Sequence, residues 1–255
     1  MVLIRDISVY DADPIDYGSY DGLIIRCFNG SVKDAKYDKH KAGAKAAGKP
    51  FWPYMFFNFL YPALPQIHEV LNIIQGDSGN LPLAIDVEQW AGHLFPERSI
   101  LLANLQSIRD AYYAVMGKSP QFYMNPAAIH YLKPIPAWLL NCPLWIAHWG
   151  AGVPDYEPWQ YYTFWQYQGE PDYNRYGGTD AQYWAYVGGI PCELPEMVRT
   201  TADTLNLRVK PMGVVVGHVP KGTLLGVDGE AYYNGVRWWR VGNAYVSSEW
   251  CENVS

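Results

Sequence analysis

Residues 81–90, LPLAIDVEQW, run from a short apolar stretch straight into two carboxylates, Asp86 and Glu88. An apolar run of this length bounded by acids reads as a buried strand of a parallel sheet opening into a polar end. Strand side chains alternate between faces, so Asp86 and Glu88 project one way while Val87 turns into the packing. Two like charges, close together and partly buried, raise the pKa of one of them. A carboxylic acid that keeps its proton near neutrality is what general-acid chemistry requires.

On either side of this strand the chain alternates between β-rich and helical patterns. Upstream lie LIRDISVY, GLIIRCFNG, an Ala/Lys-rich helical segment at 34–48, FWPYMFFNF and a helical segment at 64–75. Downstream come an amphipathic segment at 96–116 and then PQFYMNP, PLWIAHWG and YYTFWQYQG, with progressively less helix between them. Regular βα alternation that gives way to consecutive strands predicts an α/β fold, an irregular TIM-like β/α barrel over residues 1–188, with reactive groups at the C-terminal ends of its strands. Residues 189–200 are Pro/Gly-rich without periodicity and read as a linker. Residues 201–255 carry short strand patterns separated by Gly, Pro and Asn, which predicts a small all-β barrel.

Composition narrows the function classes. Aromatic residues make up 16% of the 255 residues, with 21 Tyr and 11 Trp, against only 17% charged, a balance suited to aromatic-lined grooves. The net charge is −6 and neither part of the chain is basic, which argues against a nucleic-acid partner. The start, MVLIRDISVY, carries charges at positions 5 and 6, and no apolar run is long enough for a signal peptide or a membrane span, so neither export nor membrane insertion is expected. The cysteines at 27, 142, 192 and 251 form no Cys-x-x-Cys, and the six histidines form no His-x-x-x-His, so no metal or cofactor is expected. Cys192 and Cys251 flank the same small module and leave a bridge between them open. The tetrapeptide Gly76-Asp77-Ser78-Gly79, which surrounds the nucleophile in one protease family, reads as a turn in this βα context.

Asp6-x-Ser8, PYMFF at 53–57, AIDVE at 84–88, FYMNP at 122–126, LWIAHW at 144–149, FWQYQ at 164–168 and the Gly-Gly-Thr-Asp180 that follows occur in an order that resembles glycoside hydrolase family 25, the lysozymes that cleave bacterial peptidoglycan between N-acetylmuramic acid and N-acetylglucosamine. The resemblance implies a muramidase in which Glu88 is the proton donor, Asp6 the carboxylate at the base of the pocket, and Asp86 and Asp180 two supporting acids. It further implies that Tyr54, Tyr123, Trp145, Trp165 and Tyr167 line the sugar groove and that Gln166 is available for hydrogen bonds. The chain departs from the family pattern at 26–30, Arg-Cys-Phe-Asn-Gly, and at Met55, where histidine is common. Two alternatives therefore stand: a non-catalytic wall-binding or virion structural protein, and a hydrolase of another N-acetylated polymer such as chitin.

LNLRVKP, PKGTLLGV and WWRVGNAYVSSEW in the C-terminal segment resemble a bacterial SH3-like domain, which implies a module that binds cell wall, with Tyr232, Trp238, Trp239 and Tyr245 divided between a binding face and a core. A wall substrate without a leader implies a phage or prophage endolysin acting on peptidoglycan. Oligomeric state is not legible in the chain.

Overall fold

The computed structural model describes residues 2–74, 77–150, 152–188, 197–227 and 229–254. Eight strands close into a barrel: β1 (Ile4–Ile7), β2 (Gly22–Phe28), β3 (Phe51–Phe56), β4 (Ala84–Asp86), β5 (Gln121–Met124), β6 (Leu144–Ala147), β7 (Phe164–Gln168) and β8 (Tyr173–Tyr176). Neighbours from β1 through β7 pair in parallel, while β8 runs antiparallel to β1 and completes the ring. Trp52 of β3 stacks on Phe164 of β7 with ring centroids 5.0 Å apart. These strands lie across the ring from each other, so their side chains fill the interior and leave no pore.

Helices α1 (Tyr37–Ala46), α2 (Ala63–Ile74) and α3 (Arg98–Met116) cross between strands. In α3 the buried residues are Leu101, Leu105, Ile108 and Tyr112, the three- and four-residue spacing of a one-sided helix. The Leu83 N–H donates to the Tyr112 hydroxyl at 3.0 Å, tying α3 to the approach of β4. Gly117 ends α3 in the left-handed region at φ 68°. Two shorter helices, α4 (Pro126–Leu132) and α5 (Ala137–Leu140), follow β5. Gly79 also has positive φ, and a Cβ there would lie 2.1 Å from the Phe51 carbonyl oxygen. With Asp77 paired to Lys45 and Lys41, the described part of the protease-like tetrapeptide serves the turn into β4.

The chain separates into two compact units, one of Met1–Trp159 with Thr163–Arg175, the other of Gln160–Tyr162 with Tyr176–Ser255. This differs from the boundary expected at 188. Because β8 closes the barrel, the chain beyond Tyr176 is free to pack elsewhere, and helix α6 (Asp180–Val187) groups with the second unit. The expected linker is also shorter, since Met197–Thr200 forms a strand, β9, while 189–196 and Cys192 lie outside the described residues.

In the second unit β9 pairs antiparallel with β12 (Leu224–Gly226) and β16 (Cys251–Val254). A five-stranded sheet has the order β11-β10-β15-β14-β13, built from β10 (Thr204–Arg208), β11 (Val215–Pro220), β13 (Gly229–Tyr233), β14 (Val236–Val241) and β15 (Ala244–Ser247). Asn234 and Gly235, both with positive φ, form the two-residue hairpin turn from β13 to β14. Val198 of the small sheet packs with Leu205, Trp239 and Val246 of the larger one, so two antiparallel sheets share one core. Tyr232, Trp238, Trp239 and Tyr245 are all buried, which leaves Trp250 as an exposed ring of this unit. Among the described residues no helix is long and apolar enough to cross a membrane.

Candidate active site

A cavity of about 860 Å³ opens at the C-terminal ends of β1 to β4, and its lining follows the two-residue period of a strand. Tyr54, Phe56 and Asn58 line it from β3, and Asp86, Glu88 and Trp90 from β4. Of the residues between them, Met55, Phe57 and Val87 are buried on the other side, and Gln89, past the end of the strand, is exposed. The β4 ladder stops at Asp86, and backbone bonds from Phe57 N–H to the Asp86 carbonyl and from Val87 N–H to the Tyr123 carbonyl, both 3.0 Å, hold the chain as it leaves the sheet. Glu88 thus stands half-buried at the lip, one strand step above the buried Asp86.

Strand β2 contributes Arg26 and Asn29 around a register shift between Arg26 and Phe28. Such irregularities re-aim side chains at the rims of barrels. The Arg26 Nε donates to Asp34 at 2.7 Å, and the guanidinium lies 4.8 Å from the centre of the Tyr10 ring. The loop between β7 and β8 adds Glu170, Pro171 and Asp172.

Asp6 lies beneath this lining, buried, at the end of β1. Gln166 Nε2 donates to its two oxygens at 3.2 and 3.0 Å, and Asn174 Nδ2 donates at 2.7 Å. The orientation of both amides is fixed from behind. The Gln166 carbonyl oxygen accepts from the Tyr123 hydroxyl and from the Trp149 indole, each at 2.9 Å. The Asn174 carbonyl oxygen accepts from the Trp145 indole at 2.7 Å. An indole N–H can only donate, so each amide must turn its NH₂ toward Asp6.

Burial and like charge raise every carboxylate of the cluster. The Asp6 carboxyl is pushed up to about 7, first by burial and then by Asp172, against the lowering effect of the Asn174 and Gln166 hydrogen bonds. Asp86 is held well above the usual range by burial, then by Glu88 and Asp6, with Arg26 opposing. Glu88 is raised by burial and then by Asp172. Asp172 is pushed up to about 6 by burial and by Asp11, opposed by Arg5. Desolvation is the larger cause throughout; the repulsion read from the Asp86–Glu88 spacing comes second at Asp86, whereas at Glu88 and Asp6 the second cause is Asp172.

The expected site residues therefore divide. Asp6, Asp86 and Glu88 come together. Asp180 does not line the cavity: it is exposed in the first turn of α6, behind the Thr179–Gln182 capping box, and belongs to the second unit. The carboxylate that completes the cluster is Asp172, two residues before Asn174 on the same side of the chain. Of the expected groove aromatics Tyr54 lines the cavity. Trp145, Trp165 and Tyr123 are buried, and Tyr123 and Trp145 orient the amides that hold Asp6. Tyr167 is half-buried, with the Arg175 guanidinium 5.6 Å from its ring centre. The cavity's own aromatics include Tyr10, Phe56 and Trp90, and the two-residue period from Tyr54 and from Asp86 was the signal for the last two.

The family model for glycosyl hydrolases family 25 matches residues 6–174. The chain belongs to this family. The match begins at Asp6 and ends at Asn174, which bonds it, and leaves Asp180 outside. As a family 25 member the protein is a glycoside hydrolase, and the carboxylate cluster is its candidate catalytic centre. No curated protein matches the chain by sequence. Among solved structures it is similar to the muramidase of Acremonium alcalophilum, at 20% identity and TM-score 0.64 over 74% of this chain and all of that one. A family 25 glycosyl hydrolase from Bacillus anthracis gives 22% identity and TM-score 0.64, over 72% of this chain and 92% of that one. The spore cortex lytic enzyme SleM of Clostridium perfringens, at 16% identity and TM-score 0.61, covers 99% of this chain and 98% of its own, so the likeness in fold extends through the second unit.

Proposed function

We propose that this family 25 hydrolase is a muramidase that cleaves the β-1,4 bond between N-acetylmuramic acid and N-acetylglucosamine in bacterial peptidoglycan. The observation that carries the reading is the set of carboxylates Asp86, Glu88 and Asp172 lining one cavity, with Asp6 electrostatically coupled beneath them and the pKa values of all four raised. Muramidases among the similar structures support the choice of polymer. Glu88 is the proton donor to the leaving oxygen: it keeps a proton above the usual carboxylate range, and it is half-exposed at the lip where a glycosidic bond can reach it. Asp6, bonded only by donors, acts as an acceptor that stabilises positive charge on the sugar or orients its acetamido group. Asp86 supports from below, and Asp172, rather than Asp180, is the second supporting acid.

Met55 was the main support for a chitin hydrolase, and its side chain is fully buried away from the cavity. The gathered acids weigh against a purely structural protein. Mass spectrometry of digested peptidoglycan tests the assignment directly: muramic acid at the new reducing ends is the expected result, and N-acetylglucosamine at those ends would overturn it.

The second unit is proposed as an SH3-like wall-binding module, and an endolysin acting on the wall is the setting that suits both units. Tethering raises the effective concentration of substrate without adding catalytic contacts. Truncation after residue 188, which removes the two β-sheets of this unit and keeps α6, is expected to preserve hydrolysis of soluble glycan fragments and to weaken co-sedimentation with intact walls. Equal co-sedimentation would remove the tethering role.

A further inference from the structure

A chain of aromatic contacts leads out of the catalytic cavity on the Glu88 side. Trp90 lines the cavity with Phe56, the two rings meeting edge to face at 4.8 Å. Trp90 also leans on Phe59 at 4.3 Å, Phe59 touches Phe95 at 5.5 Å, and Phe95 touches Tyr131 at 5.3 Å. Phe59 is buried and serves as the base, whereas Trp90 and Phe95 are half-buried and Tyr131 is exposed.

The platform is tied to the backbone at both ends. Residues 90–93 make a tight turn in which the His93 N–H donates to the Trp90 carbonyl at 2.7 Å, with Ala91 at φ 42° and Gly92 at φ 82°. A non-glycine residue in the left-handed region is unfavourable on its own and is kept where surrounding contacts over-determine it. Here the turn begins at Trp90, whose ring packs against Phe56 and Phe59. At the far end the Tyr131 hydroxyl donates to the Pro96 carbonyl at 2.7 Å and sets that ring.

We propose that Trp90, Phe95 and Tyr131, seated on Phe59, extend the cavity and stack on further sugar rings of the glycan, so that the enzyme reads chain length beyond the two sugars at the cleaved bond. The inference rests on the glycan-hydrolase reading of the cavity and adds where the rest of the polymer lies. Its occupant follows from continuity, because Trp90 belongs to both the cavity and the strip. Surface chemistry points the same way. A pyranose ring is apolar on its face and polar at its rim, and the strip offers half-exposed rings edged by the exposed Gln89, His93 and Glu97. Apolar patches rimmed by polar groups mark ligand grooves.

Peptide-free glycan chains of two, four and six disaccharides, prepared from peptidoglycan, provide the test. With the full-length protein, kcat/KM should rise with chain length, and Phe95→Ala and Tyr131→Ala should each reduce that rise by about three- to tenfold, through KM, if each ring contributes as much as a typical aromatic contact. Tyr131→Phe keeps the ring but loses the bond to Pro96, and should lose less of the rise than Tyr131→Ala. Calorimetric binding of the same chains to Glu88→Gln, with and without the ring substitutions, reads the strip independently of turnover. Thermal melts separate loss of a ring from loss of the fold. A wild-type rate independent of length, ring variants with unaltered length dependence, or a dimer in solution that shields Tyr131 would each overturn the proposal. Absence of hydrolysis together with ring-dependent binding would count against the catalytic reading alone.

Discussion

Asp6 and Asp86 are both buried carboxylates near the C-terminal ends of barrel strands, yet the protein supplies hydrogen bonds to one and withholds them from an oxygen of the other. Asp6 receives hydrogen bonds from two amides, each locked by an indole or a phenol behind it. Asp86 has a buried oxygen, Oδ1, with no hydrogen-bond partner, and its surroundings are other acids, relieved by Arg26 alone. Donors favour the ionised form, whereas burial among like charges favours the proton. Burial and like charge raise both carboxyls, but the donors at Asp6 hold its rise to about 7, while Asp86, without them, is held well above the usual range. The comparison separates a more readily ionised, accepting corner of the site from another that stores a proton. Glu88 belongs to the second corner and lies at its open edge.

The severest challenge to this division is Glu88→Gln. It should reduce clearing of a peptidoglycan suspension by roughly 10²- to 10⁴-fold, the usual contribution of a general acid, with little change in the thermal midpoint. Retained clearing would end the assignment of the proton donor.

Asn174→Ala tests the accepting corner. It removes the 2.7 Å donor to Asp6 and orphans the Trp145 indole, and a hydrogen bond to a charged group is worth about 1.5–3 kcal/mol, so kcat/KM should fall by about one to two orders of magnitude. Because that bond holds the Asp6 pKa down, its loss should also move the acid limb of the pH–rate profile upward. The limb reports the coupled cluster rather than Asp6 by itself. An unmoved limb would mean that Asp6 need not be ionised for turnover.

The smallest effect is one of stability, and its sign is opposite. A carboxylate whose folded pKa is raised keeps its proton in the native state at pH values where the unfolded chain has lost it. Its contribution to stability is full below the unfolded pKa near 4 and declines as pH rises toward the folded value. Asp86→Asn removes this penalty. It should raise the thermal midpoint at pH 7 to 8 by about 2–4 °C for each kcal/mol relieved, have much less effect near pH 4, and lower activity. A midpoint that falls at pH 7 would show that Asp86 is better accommodated than its unpartnered oxygen indicates.

Much of the barrel was legible because its signals are local. The alternation of apolar runs with helical periods located β1 to β7, and the two-residue period put Asp86 and Glu88 on one side. The boundary between the units was less legible: α6 carries a helical pattern like any other, and only the antiparallel closure by β8 releases it from the barrel. The aromatics show a similar limit. Trp145 and Tyr123 fall on strand positions that suit either a sugar groove or a core, and the amides they orient arrive from β7 and β8, far along the chain.

The sequence by itself determined the family pattern, the parallel strands and the pairing of Asp86 with Glu88, because strand geometry repeats every two residues. Only the tertiary structure brings Asp172, and not Asp180, to the cavity with Asp86 and Glu88. Both follow β7 at polar positions, and although the Thr179–Gln182 capping box marks Asp180 as the start of a helix, nothing local shows which of the two reaches the other acids. The distinction comes from closure of the ring, which brings Asn174 of β8 beside Asp6 of β1 and leaves Asp172 at the cavity, while Asp180 begins a helix of the next unit.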